Sequence, residues 1–272
     1  MKLAPPFLFA ADLDGALLPN TGKPSPDGCL GRTCNFLGHL RGQGTPVAYV
    51  THRPYEMARA SVGQFGLPSP DYWLCNAGTE IRTASGDHDP DWSRWLGPEL
   101  EVDLLVALLG GVDGLVHQHR YLAGRHRFIL KVSGRLGASW VSRARQALAG
   151  YRNGLRIEAN FDESLGITRV EVLPDVSGKL QALDFLAQRH ALPRRKVFYA
   201  GIGDQDVLTS GVLAVQLRQA GTRGGNPALA CGTPYLARDV FGDGILEGLR
   251  HFELWPDQIS DPRYRRVLSG SR

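Results

Sequence analysis

Phe7-Leu8-Phe9-Ala10-Ala11-Asp12-Leu13-Asp14-Gly15 is an apolar run that ends in two carboxylates spaced two apart, followed at once by a glycine. A short apolar run bounded by a turn reads as a strand buried on both faces. Side chains at i and i+2 of an extended strand point the same way. Asp12 and Asp14 are therefore expected together at the carboxyl end of the first strand, where open α/β sheets place their ligands. Two crowded carboxylates repel, so either one holds a proton or a cation sits between them. Both outcomes suit phosphoryl transfer, in which one Asp attacks phosphorus and the other moves a proton. The same pair also reads as a turn or capping device, so the rest of the chain has to decide.

Working outward, Leu30, Cys34, Leu37 and Leu40 recur at helical spacing until Gly42 and Gly44, which predicts a helix with Cys34 on its apolar stripe. Pro46–Val50 reads as a second buried strand, Tyr55–Gln64 as a helix and Tyr72–Cys75 as a third strand. This β-α-β-α-β alternation predicts a doubly wound, Rossmann-like parallel sheet. The rhythm breaks at residues 84–98, where Pro, Gly, Asp and Trp accumulate and suggest a boundary. A helix around Val102–Leu109, a strand at Phe128–Ser133, a helix from Ser139 to Ala149 and strands at Leu155–Phe161 and Ile167–Leu173 follow. That pattern predicts an antiparallel α+β insert. The α/β rhythm returns with a helix from Lys179 to His190 and a strand from Lys196 to Ala200. The expected organisation is a core of residues 1–83 and 171–255, an inserted cap of residues 84–170 and a basic tail of residues 256–272.

Composition narrows the classes. The 272 residues are 43% apolar and 21% charged, with a net charge of +4, as in ordinary globular proteins. From Arg120 to Arg156 there are nine Lys or Arg residues and no Asp or Glu. That stretch reads either as solvated surface or as a positive field for an anionic substrate. No recognisable nucleic-acid module accompanies it. Cys29, Cys34, Cys75 and Cys231 form no C-x-x-C pair, which suits a reducing cytoplasm rather than a zinc site. No stretch is long and apolar enough to cross a membrane.

Several residues fall where the first motif needs them. Thr51 follows the second strand, so its hydroxyl and the next backbone N–H groups can hold phosphate oxygens, although a Thr helix cap is as common a reading. Lys179 opens a helix after Ser177-Gly178 and could neutralise both a nucleophile and a transferring phosphoryl group. Asp204 and Asp206 follow another strand and could complete an all-oxygen magnesium site with Asp12.

In that order, Asp12-Leu13-Asp14-Gly15, Thr51, Lys179 and the Asp204/Asp206 region resemble the four motifs of the haloacid dehalogenase superfamily, and within it those of sucrose-6-phosphate phosphatases. Pro70–Leu74, Gly78-Thr79-Glu80-Ile81, Lys131-Val132-Ser133 and Gly244–Phe252 add to the resemblance, which spans roughly residues 7–252. It implies a Mg2+-dependent phosphatase of a sugar phosphate. Asp12 would be the nucleophile and Asp14 the acid and base, with its carbonyl on magnesium. Thr51 and Lys179 would hold the phosphoryl group, and a cap including Lys131 would set specificity. His52 and Thr79 join these as candidate substrate contacts, and a sugar-phosphate synthase is a candidate partner.

Three departures stand out. Ala16 follows the second Asp where a Thr or β-branched residue is usual, and His52 replaces the glycine beside Thr51. The family's fourth motif reads G-D-S-x-N-D, whereas this chain has Gly201-Ile202-Gly203-Asp204-Gln205-Asp206. Aligned without a gap, Ile202 replaces the first acid and Asp206 matches the last. With a two-residue deletion, Asp204 and Asp206 are both retained. The first alignment favours a catalytically silent binding protein, the second an enzyme. Another glycosyl phosphate, such as a mannosyl-phosphoglycerate, is the alternative substrate.

Overall fold

Apolar runs became strands where neighbours could cover both of their faces, and the alternating stretches became strands with one polar face. The computed structural model describes residues 6–19, 25–109, 116–117, 123–218 and 234–255. In chain order the first elements are β1 (Leu8–Asp12), α1 (Cys29–Gly42), β2 (Val47–Val50), α2 (Tyr55–Gln64), β3 (Tyr72–Cys75) and β4 (Glu80–Thr83). Next come α3 (Pro90–Leu96), α4 (Val102–Leu109), β5 (Val116–His117), β6 (Phe128–Ser133), α5 (Ala138–Tyr151), β7 (Leu155–Asp162) and β8 (Ile167–Pro174). The last are α6 (Lys179–Arg189), β9 (Val197–Gly201), α7 (Gln205–Leu208), β10 (Leu213–Gln216), β11 (Tyr235–Leu236) and α8 (Phe241–His251). The chain divides into two compact units, residues 1–51, 56–73 and 183–272 in one and residues 52–55 and 74–182 in the other.

One sheet has seven strands in the order β11-β10-β9-β1-β2-β3-β4. β1 runs parallel to β2, with Asp12 beside Val50, and to β9, with Ala10 beside Tyr199 and Ala11 beside Ala200. All residues of β1, β2 and β9 are buried, as a sheet covered on both faces requires. In the first unit Phe9 stacks on Phe198 at 5.4 Å between ring centroids and meets Phe36 edge-on at 6.0 Å. Arg32 of α1 forms a two-pronged ion pair with Asp243 of α8, both bonds 2.7 Å long. The buried stripe of α1 is Cys29, Thr33, Phe36, Leu37 and Leu40. Cys34 is therefore not a core residue as expected: it sits one position off that stripe, half-exposed, with its thiol donating to the Gly66 carbonyl at 3.5 Å.

The second sheet is antiparallel, in the order β5-β6-β8-β7. Phe128, Leu130, Val170, Val172 and Ile157 share one face and form a core with Leu105 of α4 and Trp140, Ala144 and Leu148 of α5. The spacing of four between the α5 residues keeps them on one side of that helix. By alternation the other face carries Lys131, Arg169, Glu171, Glu158 and Asn160, with Lys131 opposite Arg169 and Glu158 opposite Glu171.

Residues 84–98, read from composition as a boundary, contain helix α3. Asp89 caps it by accepting from the N–H groups of Asp91 at 3.1 Å and Trp92 at 2.9 Å, and Pro90 opens the first turn. Trp92 and Leu96 are buried, so a run rich in turn formers was an N-terminal helix signal. The basic stretch also changes meaning. Glu99, Glu163 and Glu171, all outside it in sequence, pair with Arg125, Arg135 and Arg127, so part of the charge that is one-sided along the chain is matched in space. The tail after residue 255, the basic residue Arg120 and Cys231 lie outside the described residues.

Candidate active site

In the first unit, β1 ends at Asp12, whose side chain is buried. Asp14 lies beyond the strand in a tight turn rather than at its next same-face position. Within that turn Leu17 N–H donates to the Asp12 carbonyl at 3.1 Å and Gly15 N–H to Leu18 at 2.9 Å, while Asp14 is half-exposed. Thr51 is buried at the end of β2. Asp204 follows β9, and its carboxylate meets Asp12 through a residue that sequence reasoning passed over. The hydroxyl of Tyr199 is 2.9 Å from Asp12 Oδ1 and 3.0 Å from Asp204 Oδ2. Burial, with the charges of Asp12 and Asp204, raises the Tyr199 phenol well above its ordinary value, so it remains a protonated donor at neutral pH. Asp206 is exposed on α7, two residues further on. The structure thus brings Asp204, not Asp206, to Asp12. A lone tyrosine in the otherwise apolar run Val197-Phe198-Tyr199-Ala200-Gly201 was the available signal, because a buried phenol hydroxyl needs a partner.

One hydroxyl carries one proton, so it can donate to only one of its two carboxylates at a time. Two carboxylates gathered at one hydroxyl favour positive charge beside them, which a divalent cation can supply. Among the described residues no group of three or more His, Cys, Asp or Glu side chains converges. Magnesium does not need such a cage: one or two carboxylates, with water and substrate phosphate, serve it. The donor set of Asp12 and Asp204 is all hard oxygen and fits that ion.

In the second unit, Lys179 is buried at the start of α6. The segment before it is tightly held. Asn76, Ala77 and Gly78 all take positive φ, at 51°, 59° and 83°, a strained run of a kind that clusters at functional sites. Gly78 lies so close to Gly178 and Lys179 that a Cβ would stand 2.3 Å from the Gly178 carbonyl carbon and 2.6 Å from the Lys179 nitrogen. Thr79 is buried and donates its hydroxyl to the Asn76 carbonyl at 2.9 Å, so it braces this turn. On the other side Arg156 Nη1 donates to the carbonyls of Pro174 at 2.7 Å, Asp175 at 3.1 Å and Ser177 at 2.9 Å.

His52 has an exposed side chain, and its carbonyl accepts from Arg127 Nη1 at 3.3 Å. Arg127 is buried and donates to Glu171 at 2.6 Å, while Arg169 lies 2.8 Å from the other Glu171 oxygen. Burial works to raise the Glu171 pKa, but the hydrogen bond and charge of Arg127, aided by Arg169, outweigh it and hold the group below its ordinary value. Arg127 Nη2 is buried with no hydrogen-bond partner among the described residues. Lys131 is exposed on the polar face of β6.

Solved structures of known proteins share this fold. A sucrose-phosphatase of Synechocystis, solved in complex with sucrose and phosphate, has the same fold with a TM-score of 0.70 and 24% identity, over 91% of this chain and 98% of that one. A haloacid dehalogenase-like hydrolase of Bacillus subtilis matches with a TM-score of 0.63 and 16% identity, over 94% of this chain and 95% of its own. The fold is thus that of the haloacid dehalogenase-like phosphatases. A putative hydrolase of that type from Nitrosococcus oceani is 28% identical over 273 residues, 90% of this chain and 71% of the relative. The family model for sucrose-6F-phosphate phosphohydrolase matches residues 5–253, and the chain belongs to that family.

Proposed function

We propose that the protein is a magnesium-dependent phosphatase that hydrolyses a sugar phosphate, with sucrose 6-phosphate the first candidate, through an aspartyl-phosphate on Asp12. The observation that carries this is the buried Asp12 carboxylate at the end of β1, joined to Asp204 through one hydroxyl. In the first displacement a carboxylate oxygen of Asp12 bonds to phosphorus, the bond from phosphorus to the sugar oxygen breaks, and Asp14 gives that oxygen its proton. In the second, water attacks the same phosphorus, Asp14 takes its proton, and the Asp12 carboxylate leaves as free phosphate forms. Thr51 and Lys179 hold the phosphoryl oxygens and offset their charge. Asp12, Asp204 and the Asp14 carbonyl would hold magnesium, which supplies positive charge to the phosphoryl group when bound.

Residues 84–170 act as the cap in this reading. Lys131 and the unused Arg127 Nη2 are donors suited to sugar hydroxyls, and Thr79 and His52 act through the backbone they shape. A sugar-phosphate synthase is the class of enzyme that would supply the substrate. The free cysteines Cys29, Cys34 and Cys75 suit a cytoplasmic setting. A second reading, a catalytically impaired sugar-phosphate binder, draws on Ile202 at the position of the family's first motif-four acid and on the exposure of Asp206.

Phosphate release from sucrose 6-phosphate and a panel of other glycosyl phosphates, with Mg2+, tests the choice. The expected result is release that a chelator abolishes and that Asp12→Asn lowers by at least about 1,000-fold. No release from any panel member, with binding retained, would transfer the conclusion to the second reading.

A further inference from the structure

The chemistry above gives roles to Asp12, Asp14, Thr51 and Lys179 and none to the polar group that sits against Asp12. Tyr199 is the third residue of β9 and is fully buried in the parallel sheet. A phenylalanine would fill the same volume without a hydroxyl that has to be satisfied. Here the hydroxyl is satisfied by two carboxylates from different segments, Asp12 Oδ1 at 2.9 Å and Asp204 Oδ2 at 3.0 Å. Gly201 completes the arrangement, since a Cβ there would lie 2.4 Å from the Tyr199 hydroxyl and 2.7 Å from Asp12 Oδ2. The missing side chain leaves room for the phenol and for the Asp12 carboxylate.

We propose that Tyr199 is a positioning residue of the catalytic centre, which fixes the Asp12 carboxylate through Oδ1 and holds Asp204 beside it. The tyrosine thereby does what the altered fourth motif no longer does by itself: it keeps a second carboxylate next to the nucleophile although Ile202 stands at one motif position and Asp206 points into solvent. This inference rests on the phosphatase reading for its chemical meaning, but its test does not depend on turnover.

Mg2+ is titrated calorimetrically into substrate-free wild type, Tyr199→Phe and Gly201→Ala, with thermal melting of each without metal. Groups that orient metal-binding side chains cost about 10–100-fold in affinity or activity when removed. Both variants are expected to bind Mg2+ more weakly by that factor. On sugar phosphate, Tyr199→Phe is expected to lower kcat by a similar factor with KM within about twofold of wild type. Tyr199→Phe that melts lower but binds Mg2+ as wild type does would make the hydroxyl structural and overturn the proposal. A wild type that binds no Mg2+ overturns it too. A wild type that binds Mg2+ and hydrolyses no sugar phosphate would sink the phosphatase reading instead, with the titration still deciding the role of Tyr199.

Discussion

In the parallel sheet the strands β1, β2 and β9 are buried from end to end, and Asp12, Asp204 and Thr51 stand at or just past their carboxyl ends. In the antiparallel sheet charged residues run the length of one face, from Arg156 and Glu158 on β7 through Arg169 and Glu171 on β8 to Lys131 on β6. The first arrangement places its carboxylates only where the strands stop, so it gathers a few of them at one point, as bond-breaking chemistry requires. The second spreads many charged donors and acceptors over a surface. Burial differs accordingly: Tyr199 and Asp12 are enclosed, whereas Lys131 and Glu158 are exposed.

The largest expected effect tests the two-sided burial of the parallel sheet. Phe198→Ala removes the ring stacked on Phe9 and should cost about 3–5 kcal/mol, read by urea unfolding. A loss below about 1 kcal/mol would mean that this sheet is not close-packed there. On the antiparallel sheet, Glu171→Ala strands the buried Arg127 charge and should cost about 3 kcal/mol. The same pair sets a pH dependence. Because the folded-state pKa of Glu171 lies below its ordinary 4.5, its contribution is fully present above pH 4.5 and is lost as pH falls through the lower folded value. Wild type should therefore lose stability in acid more steeply than Glu171→Ala does, and parallel acid profiles would contradict this.

A smaller effect separates the two acids after β9. Asp204→Ala should weaken Mg2+ binding and phosphate release by about 10–100-fold, whereas Asp206→Ala should stay within about twofold. The reverse ranking would restore the ungapped alignment of the fourth motif. Least of all, Lys131→Ala should leave stability within about 0.5 kcal/mol of wild type while raising KM for the sugar phosphate. A destabilised Lys131→Ala would show that the charged face is part of the fold rather than a surface for ligand.

Much of the secondary structure was legible because each element had a single period. Tyr55–Gln64, Tyr72–Cys75 and Phe128–Ser133 occur within the bounds their patterns predicted. Helix α3 was obscured because Asp89-Pro90 serves equally as turn and as helix start, and only the burial of Trp92 and Leu96 decides. The stripe of α1 shifted to Thr33 and Phe36 because periodicity alone tolerates a rotation of one residue, whereas the packing of Phe36 against Phe9 does not.

For the site the division is similar. From the sequence alone came the order Asp12, Asp14, Thr51, Lys179 and the ambiguity of Asp204 against Asp206, because residue types and spacing are local properties. Tertiary structure alone supplied Tyr199 between Asp12 and Asp204, Gly78 against Gly178, and Glu171 as the partner of Arg127. Each of these joins positions far apart along the chain, or depends on a side chain having nowhere else to point. Such contacts are decided by which strands lie side by side, and no local pattern of residues records that.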